Sequence, residues 1–125
     1  TAESFGIDSM SAPEDNIAAG IKYISWLDKQ FIKKVKDSIE RKKFILAAYN
    51  VGLGHVFDAI RLAKKNNLDT TIWNDNVAEM LKNKSNPQFY KDEVVYYGYC
   101  RGSEPYNYVK EVMERYEHYK NITEE

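Results

Sequence analysis

Cysteine and histidine are nearly absent from this sequence of 125 residues. The single cysteine, Cys100, excludes a disulfide within the chain and a metal site built from several thiolates. The two histidines, His55 and His118, lie far apart and share no spacing typical of metal ligands. We therefore predict no metal site and no cofactor.

The chain also lacks an excess of charge of either sign. It has 18 basic and 19 acidic side chains, which give a net charge of -1. Nucleic-acid-binding domains usually need a basic face that neutralises phosphates, so we expect no nucleic-acid partner. A glycan of neutral or mixed character is compatible with this charge balance.

Long apolar runs, low-complexity linkers and internal repeats are missing as well. No stretch is long and apolar enough to span a bilayer, and no signal peptide is recognisable. Any association with a membrane is therefore expected to depend on regions outside this chain. The length predicts one domain over residues 1–125, and 43% hydrophobic residues are enough for one modest core.

Tyrosine, in contrast, is abundant, with ten copies in a chain that is 14% aromatic. A tyrosine ring can stack on the C–H face of a sugar while its hydroxyl group reaches the polar rim, because the side chain is amphipathic. Tyrosine can equally fill the core of a small helical protein. The composition leaves both uses open.

Apolar residues at helical spacing predict an all-α fold of about five helices. Ser11 and Glu14 have the spacing of a capping box before a helix over 13–35, which is continuous or broken near Lys33. Asp37 and Glu40 repeat that spacing before a second helix, which Gly52 and Gly54 should end. The first helix carries the apolar residues Ile17, Ile21, Ile24, Phe31 and Val35, with Asp28 turning its face towards Leu27, and the second carries Phe44, Ile45, Ala48 and Tyr49.

Three more helices are predicted in the second half of the chain. They cover 54–66, closed by Asn66-Asn67, then 74–82, and finally a helix from Ser103 whose tail frays after Lys120. We expect residues 85–102 to form a loop or short helix, because the strand-like run at 94–97 has no partner. The inward residues are predicted to be Val56, Phe57, Ile60 and Ala63, then Val77, Met80 and Leu81, then Tyr106, Val109, Met113 and Tyr116 beside a second stripe of Tyr108, Val112 and Tyr119.

Two segments differ from this plain helical pattern. The first, 44–54, places small residues, then Tyr49-Asn50, then two glycines at a helix end. The amide of Asn50 can both donate and accept hydrogen bonds, and the glycines leave the backbone open to a ligand. The alternative is an ordinary helix end, in which Asn50 bonds to nearby backbone. The second segment, 97–109, is an aromatic loop with two glycines that leads into a helix, where Glu104 either favours the helix dipole or pairs with Arg101.

Both segments resemble signature blocks of the lytic transglycosylase family, whose domain has a goose-lysozyme-like helical fold. Ala48-Tyr49-Asn50-Val51-Gly52 resembles the family's Ala-Tyr-Asn-x-Gly block, and Glu104 followed by Tyr108-Val109 resembles its closing block. Residues 13–24 resemble the helix that leads to the first block. Residues 97–102 are most similar to the membrane-bound branch that carries an additional solute-binding-like domain. Three blocks in the family's order span nearly the whole chain.

The resemblance implies that the family's catalytic glutamate lies before residue 1. The catalytic block of the family reads Glu-Ser, then Gly-Leu-Met-Gln, then Thr-Ala, and Thr1-Ala2 matches only its end. We interpret Glu3 as a decoy, because no Gly-Leu-Met-Gln follows Glu3-Ser4. The prediction is that this chain is the C-terminal part of the domain and contains no catalytic residue.

The family resemblance implies an enzyme of the bacterial cell envelope, periplasmic or associated with the outer membrane, that acts on peptidoglycan glycan strands. In that family one glutamate cleaves the bond between N-acetylmuramic acid and N-acetylglucosamine without water and leaves an anhydro ring. For this chain it implies the wall of the substrate cleft, with Tyr49, Asn50, Tyr108 and Glu104 as substrate-binding residues. The alternatives are a glycan-binding module without the acid and a helical protein-interaction domain with fortuitous motif matches.

Overall fold

A computed structural model describes the backbone of residues 13–123 and the side-chain burial of residues 16–122. Within that range the fold is all-α, as predicted, and no strand is present. The predicted N-cap Ser11 and the carboxyl group of Glu3 lie outside the described residues. The helices are α1 Pro13–Phe31, α2 Ser38–Val51, α3 Leu53–Lys65, α4 Ala78–Lys82, α5 Pro87–Tyr90 and α6 Ser103–Thr123.

Helix α1 is shorter than predicted, and its second half faces the core. It ends at Phe31 rather than at Val35, although both side chains are fully buried together with Leu27. The predicted turn of the buried face towards Leu27 is therefore confirmed. The prediction that the first half of the apolar stripe faces the core is wrong. Its three isoleucines are exposed: Ile17 by 65%, Ile21 by 62% and Ile24 by 45%.

Helix α2 begins at the predicted cap. Oδ1 of Asp37 accepts hydrogen bonds from the N–H groups of Ile39 (2.9 Å) and Glu40 (3.0 Å), which a helix start leaves unpaired. Glu40 does not bond back to the cap as a capping box would suggest. Its carboxylate accepts a hydrogen bond from the backbone N–H of Trp73 at 2.8 Å and pairs with Lys43 at 2.8 Å. The start of α2 is therefore bonded to a turn that is distant in the sequence.

A single residue, Gly52, separates α2 from α3. Its φ of +104° is a left-handed conformation that favours glycine, so the helix end predicted at this residue is confirmed. Gly54 is not part of the stop, because α3 already begins at Leu53. Asn66 ends α3 as predicted.

Aromatic rings from three helices and one turn form the centre of the core. Phe44 lies 5.2 Å from Trp73 and 5.7 Å from Phe31, and Phe31 lies 5.8 Å from Phe57. Tilted and edge-on ring pairs of this kind add packing energy to the burial of apolar area. Six of the residues predicted to point inward in the second half of the chain are buried in the core, namely Val56, Ala63, Val77, Met80, Leu81 and Val109. Five more are partly buried against it: Phe57, Ile60, Tyr106, Tyr108 and Met113.

The helix predicted over 74–82 is regular only from Ala78. Asn74 is extended, with ψ of 132°, and Asp75 has a positive φ of 63°, so a tight turn precedes the helix. Residues 85–102 contain the short helix α5, whose cap Asn86 accepts the N–H of Gln88 at 3.0 Å, and otherwise form a loop, as predicted.

Helix α6 begins at Ser103 and continues to Thr123, so the fraying predicted after Lys120 is wrong for the described backbone. Its second predicted stripe is only partly packed, because Tyr119 is 71% exposed. In the range 13–123, none of the helices has the length and apolar character needed to cross a membrane.

Candidate functional site

Tyr49 stands at the exposed end of a row of aromatic side chains. It lies in the last turn of α2, and its ring centroid is 6.0 Å from that of Tyr23 on α1. Tyr23 in turn stacks on Trp26 at 6.1 Å with the two planes 14° apart. Burial, and then the neighbouring Tyr49, raise the pKa of Tyr23, which therefore keeps its phenolic proton at neutral pH. Asn50, the next residue after Tyr49, is exposed.

Helix α6, which carries Tyr108, packs against α2. Near the start of α2, Nζ of Lys42 lies 4.8 Å from the ring of Tyr116 in the second half of α6. Cys100, just before α6, donates its N–H to the carbonyl of Lys84 at 3.4 Å. Lys84 contacts the first turn of α3, which directly follows the end of α2. The residue just before α6 is therefore linked through Lys84 to the first turn of α3, which follows Tyr49-Asn50 along the chain.

The other two predicted site residues differ in environment. Tyr108 is half-buried and packs against the hydrophobic core. The Glu104 side chain is 61% exposed and lies 3.4 Å from Arg101, in the pairing that the sequence left open. Tyr49 and Asn50 thus lie together in the last turn of α2, while Tyr108 packs on the core from α6 and Glu104 lies at the solvent-exposed start of that helix.

A buried charged cluster beneath the loop at 94–100 was not predicted from the sequence. Asp58 and Lys84 are both fully buried, and their charged atoms lie 2.6 Å apart. Asp58 also accepts hydrogen bonds from Arg61 and from the N–H groups of Tyr96 (2.8 Å) and Tyr97 (2.9 Å). One carboxylate therefore fixes both a buried lysine and the backbone of the tyrosine-rich loop.

The surroundings of Asp58 favour its charged form. Burial is the largest single effect and opposes ionisation, but hydrogen bonds from Lys84, the Tyr96 and Tyr97 amides and Arg61 together lower the pKa of the carboxyl group. Asp58 is therefore ionised at neutral pH, and all its neighbours are donors. A group in that state is unsuited to give up a proton as a general acid.

His55 completes the cluster as a neutral acceptor. Its Nδ1 lies 2.7 Å from Nζ of Lys84, a distance at which the ammonium group donates a hydrogen bond. Burial and then the charge of Lys84 lower the pKa of His55, and the more distant effect of Asp58 opposes them only in part. Protonation of His55 would place two cations side by side in a half-buried site.

We expect this histidine to make the fold sensitive to mild acid. The pKa of His55 is lower in the folded state than its ordinary value of 6.5, so the unfolded chain binds more protons below that pH. The free energy of unfolding should be at its full value above about pH 6.5 and fall as the pH drops towards about 5. Urea titrations across this pH interval measure the free energy of unfolding. We expect His55→Gln to remove its pH dependence, and His118→Gln, a change at an exposed position, to keep it. A stability that stays flat in the unaltered protein would contradict the assignment.

The geometry defines an all-α domain with an aromatic row and an amide side chain exposed where two helices meet. Comparison with known proteins gives the family. The model of the transglycosylase SLT domain matches residues 2–72, which is more than half of the chain. The chain therefore belongs to the transglycosylase SLT domain family. Tyr49 and Asn50 lie inside the matched range, and Glu104 and Tyr108 lie beyond it.

Several relatives are similar over almost the whole chain. A membrane-bound lytic murein transglycosylase F from Maricaulis maris is 43% identical over 117 residues, which are 91% of this chain and 24% of the relative. Proteins with the same name from Pseudomonas fluorescens and Pasteurella multocida are 38% and 41% identical, over 94% and 90% of this chain and 23% and 22% of their own lengths. The chain thus spans about a quarter of the length of these relatives.

Proposed function

We propose that this chain is the part of a peptidoglycan lytic transglycosylase domain that forms the wall of the substrate cleft. The reaction is non-hydrolytic cleavage of the β-1,4 bond between N-acetylmuramic acid and N-acetylglucosamine. The observation that carries the proposal is the aromatic row from Trp26 through the partly buried Tyr23 to the exposed Tyr49, which is followed directly by the exposed Asn50. Membership of the SLT family and the names of the relatives support it.

Each site residue has a chemical task suited to a glycan. The ring of Tyr49 offers a stacking face to a sugar, and its hydroxyl group can bond to a sugar oxygen. The amide of Asn50 can both donate to and accept from an N-acetyl group. On α6, Tyr108 offers a further ring and hydroxyl group for a sugar, and Glu104 orients polar groups at the rim. None of these tasks requires a metal or a cofactor.

In the proposed reaction the bonds balance without water. A carboxylic acid protonates the glycosidic oxygen as its bond to C1 of the muramic residue breaks. The 6-hydroxyl oxygen of the same residue then bonds to C1, and its proton passes to the carboxylate. The products are a free hydroxyl group on one fragment and a 1,6-anhydro ring on the other.

The described side chains provide binding groups rather than this acid. Among residues 16–122, the fully buried carboxyl group is that of Asp58, which is ionised and bonded to donors. Glu104 is exposed and paired with Arg101, unlike a carboxyl group that burial keeps protonated. We therefore propose that the general acid lies outside the described residues, and we keep the interpretation that Glu3 is not this acid. Should no acid act with this wall, the alternative is a glycan-binding module.

The proposed substrate also implies a place in the cell. The relatives are named membrane-bound murein transglycosylases, which supports a site of action in the bacterial cell envelope. We propose a periplasmic or outer-membrane-associated position, since murein is the substrate. Peptidoglycan is then the partner, and nucleic acid is not.

We expect Tyr49→Phe and Tyr108→Phe each to slow the release of anhydro-muropeptides from purified peptidoglycan by about three- to tenfold. Each change removes a hydroxyl group and keeps the ring, so one hydrogen bond of roughly 0.5–1.5 kcal/mol is lost while the packing survives. Turnover of the protein as encoded measures the effect, and Tyr119→Phe, an exposed tyrosine elsewhere on α6, should leave it unchanged. Unaltered release by both site variants would refute the assigned roles.

A further inference from the structure

Tyr97 is an exposed aromatic side chain that no role described so far uses. It lies in the loop before α6, where it is 60% exposed. An exposed ring on a loop usually has freedom to move, and ordering it on binding costs conformational entropy. The surroundings of Tyr97 remove much of that freedom.

The backbone of Tyr97 is fixed from beneath. Its N–H donates to the fully buried carboxylate of Asp58 at 2.9 Å, and the N–H of Tyr96 donates to the same group at 2.8 Å. Asp58 is itself held by the buried Lys84. Gly98, directly after Tyr97, has a φ of +69° and turns the chain away. The position of the Tyr97 Cα is thus set by a buried ion pair rather than by the loop alone.

The ring of Tyr97 also packs closely on Gly54, at a position where only glycine leaves room for it. It lies over Gly54 so closely that a Cβ atom on that residue would be 2.7 Å from the ring carbons. The ring of His55 meets it edge-on, with the centroids 6.2 Å apart. One side of the Tyr97 ring therefore rests on α3, and the rest remains open to solvent.

The contact between Tyr97 and Gly54 adjoins the candidate site. Gly54 lies in the first turn of α3, one short step along the chain from Tyr49-Asn50 across the turn at Gly52. Tyr97 therefore extends the exposed aromatic surface beyond the end of α2 and towards the start of α6.

We propose that Tyr97 is a further sugar-binding residue, which stacks on a ring of the glycan strand beyond the one at Tyr49. The inference rests on the proposed function and deepens it. A neutral sugar suits the place, because the nearby cations are already engaged: Arg61 with Asp58 and the carbonyl of Val94, and Lys84 with Asp58 and His55. The group left exposed to a ligand is the flat, preordered ring of Tyr97. Such a ring favours stacking on the C–H face of a sugar over recognition of a charge.

Co-sedimentation of the protein as encoded with insoluble purified peptidoglycan, on ice, tests the proposal. We expect Tyr97→Ala to raise the half-saturation concentration about five- to tenfold, the effect of losing one stacked ring. Tyr97→Phe keeps the ring and should stay within about twofold of the unaltered protein. Tyr119→Ala, which removes an equally exposed tyrosine far along α6, should leave binding unchanged.

Gly54→Ala provides a second test that leaves the tyrosine in place. The added methyl group must push the ring of Tyr97 outward, which an exposed side chain allows, while alanine favours the helix more than glycine does. We expect the same weakening of binding as for Tyr97→Ala, with no loss of stability in a urea titration.

The outcomes separate the two proposals. Strong binding that is equal for Tyr97→Ala and Tyr119→Ala would overturn the role of Tyr97 and leave the proposed function intact. Equal weakening by Tyr97→Phe and Tyr97→Ala would overturn stacking, because the hydroxyl group would then carry the effect. No binding by the unaltered protein would overturn the proposed function and this inference together.

Discussion

Replacing Asp58 with asparagine is expected to lower the free energy of unfolding by about 3–5 kcal/mol, the cost of leaving one partner of a buried ion pair uncompensated. Lys84 is fully buried and has its ammonium group 2.6 Å from Asp58, so no water can replace the lost charge without opening the core. The asparagine amide also adds N–H donors where the N–H groups of Tyr96 and Tyr97 and the guanidinium of Arg61 need acceptors.

Urea unfolding followed by circular dichroism measures this loss. Asp92→Asn is the matched control, because Asp92 pairs with Lys65 at the surface at 2.8 Å and its loss should change stability little. Asp58→Leu combined with Lys84→Met should recover part of the loss, since it removes both buried charges. Recovery should be incomplete because the two tyrosine amides stay without an acceptor. Small and equal effects of Asp58→Asn and Asp92→Asn would show that the cluster does not stabilise the fold.

The second large effect is expected from Gly102→Ala, which should destabilise the fold by about 1–3 kcal/mol or more through overpacking. A Cβ atom at Gly102 would lie closer than 3.0 Å to the carbonyl oxygens of Leu81 and Lys82. Backbone atoms cannot swing aside as a flexible side chain can, so the start of α6 or the end of α4 must move. Tyr108, on the second turn of α6, would move with it.

Thermal and urea unfolding of Gly102→Ala should be compared with those of Gly20→Ala. Gly20 lies within α1 with no heavy atom within 4 Å of its would-be Cβ, so alanine there should raise stability by about 0.5–1 kcal/mol. Opposite signs for two chemically identical substitutions would show that the close approach of α6 to α4 causes the loss. A Gly102→Ala protein as stable as the unaltered one would mean that these helices do not lie so close.

Local signals in the sequence predicted the helix ends well. The Asp37 cap, the stop at Gly52 and the end at Asn66 depend on hydrogen bonds and backbone angles within a few residues, so spacing alone is enough. The break before Ala78 was missed because Asn74 and Asp75 do not forbid a helix. The turn before Ala78 is instead held by the deep burial of the Trp73 side chain and by the hydrogen bond that the backbone N–H of Trp73 donates to the distant Glu40.

Long-range contacts could not be predicted. Helical spacing marked Ile17, Ile21 and Ile24 as an apolar face, but spacing does not say whether a partner covers it, and in the structure they are exposed. The pair of Asp58 and Lys84 joins residues 26 positions apart, and two charged residues on separate helices look like ordinary surface residues in a sequence. A hint was the Asp58 and Arg61 spacing on α3, which predicts a helix-surface pair and not a buried one.

For the site, the family resemblance supplied Tyr49, Asn50, Tyr108 and Glu104, and the structure adds how they are arranged. Tyr49 and Asn50 share the exposed end of α2, while Tyr108 is half-buried against the core on α6 and Glu104 is exposed at the start of that helix. No sequence motif contains the tertiary contacts of these rings, in which Tyr23 lies beside Tyr49 and Tyr97 packs on Gly54. Substrate binding by the four residues remains a prediction.

The mass of the glycan ends that the complete encoded protein releases from purified peptidoglycan distinguishes a lytic transglycosylase from a hydrolase. We expect muramic ends lighter by one water than those that a hydrolase leaves, because an internal 1,6-anhydro ring replaces the attacking water. Tyr49→Phe should release fewer such ends in the same time. Ends that carry the added water, or no release under conditions where the protein binds peptidoglycan, would contradict the proposed function.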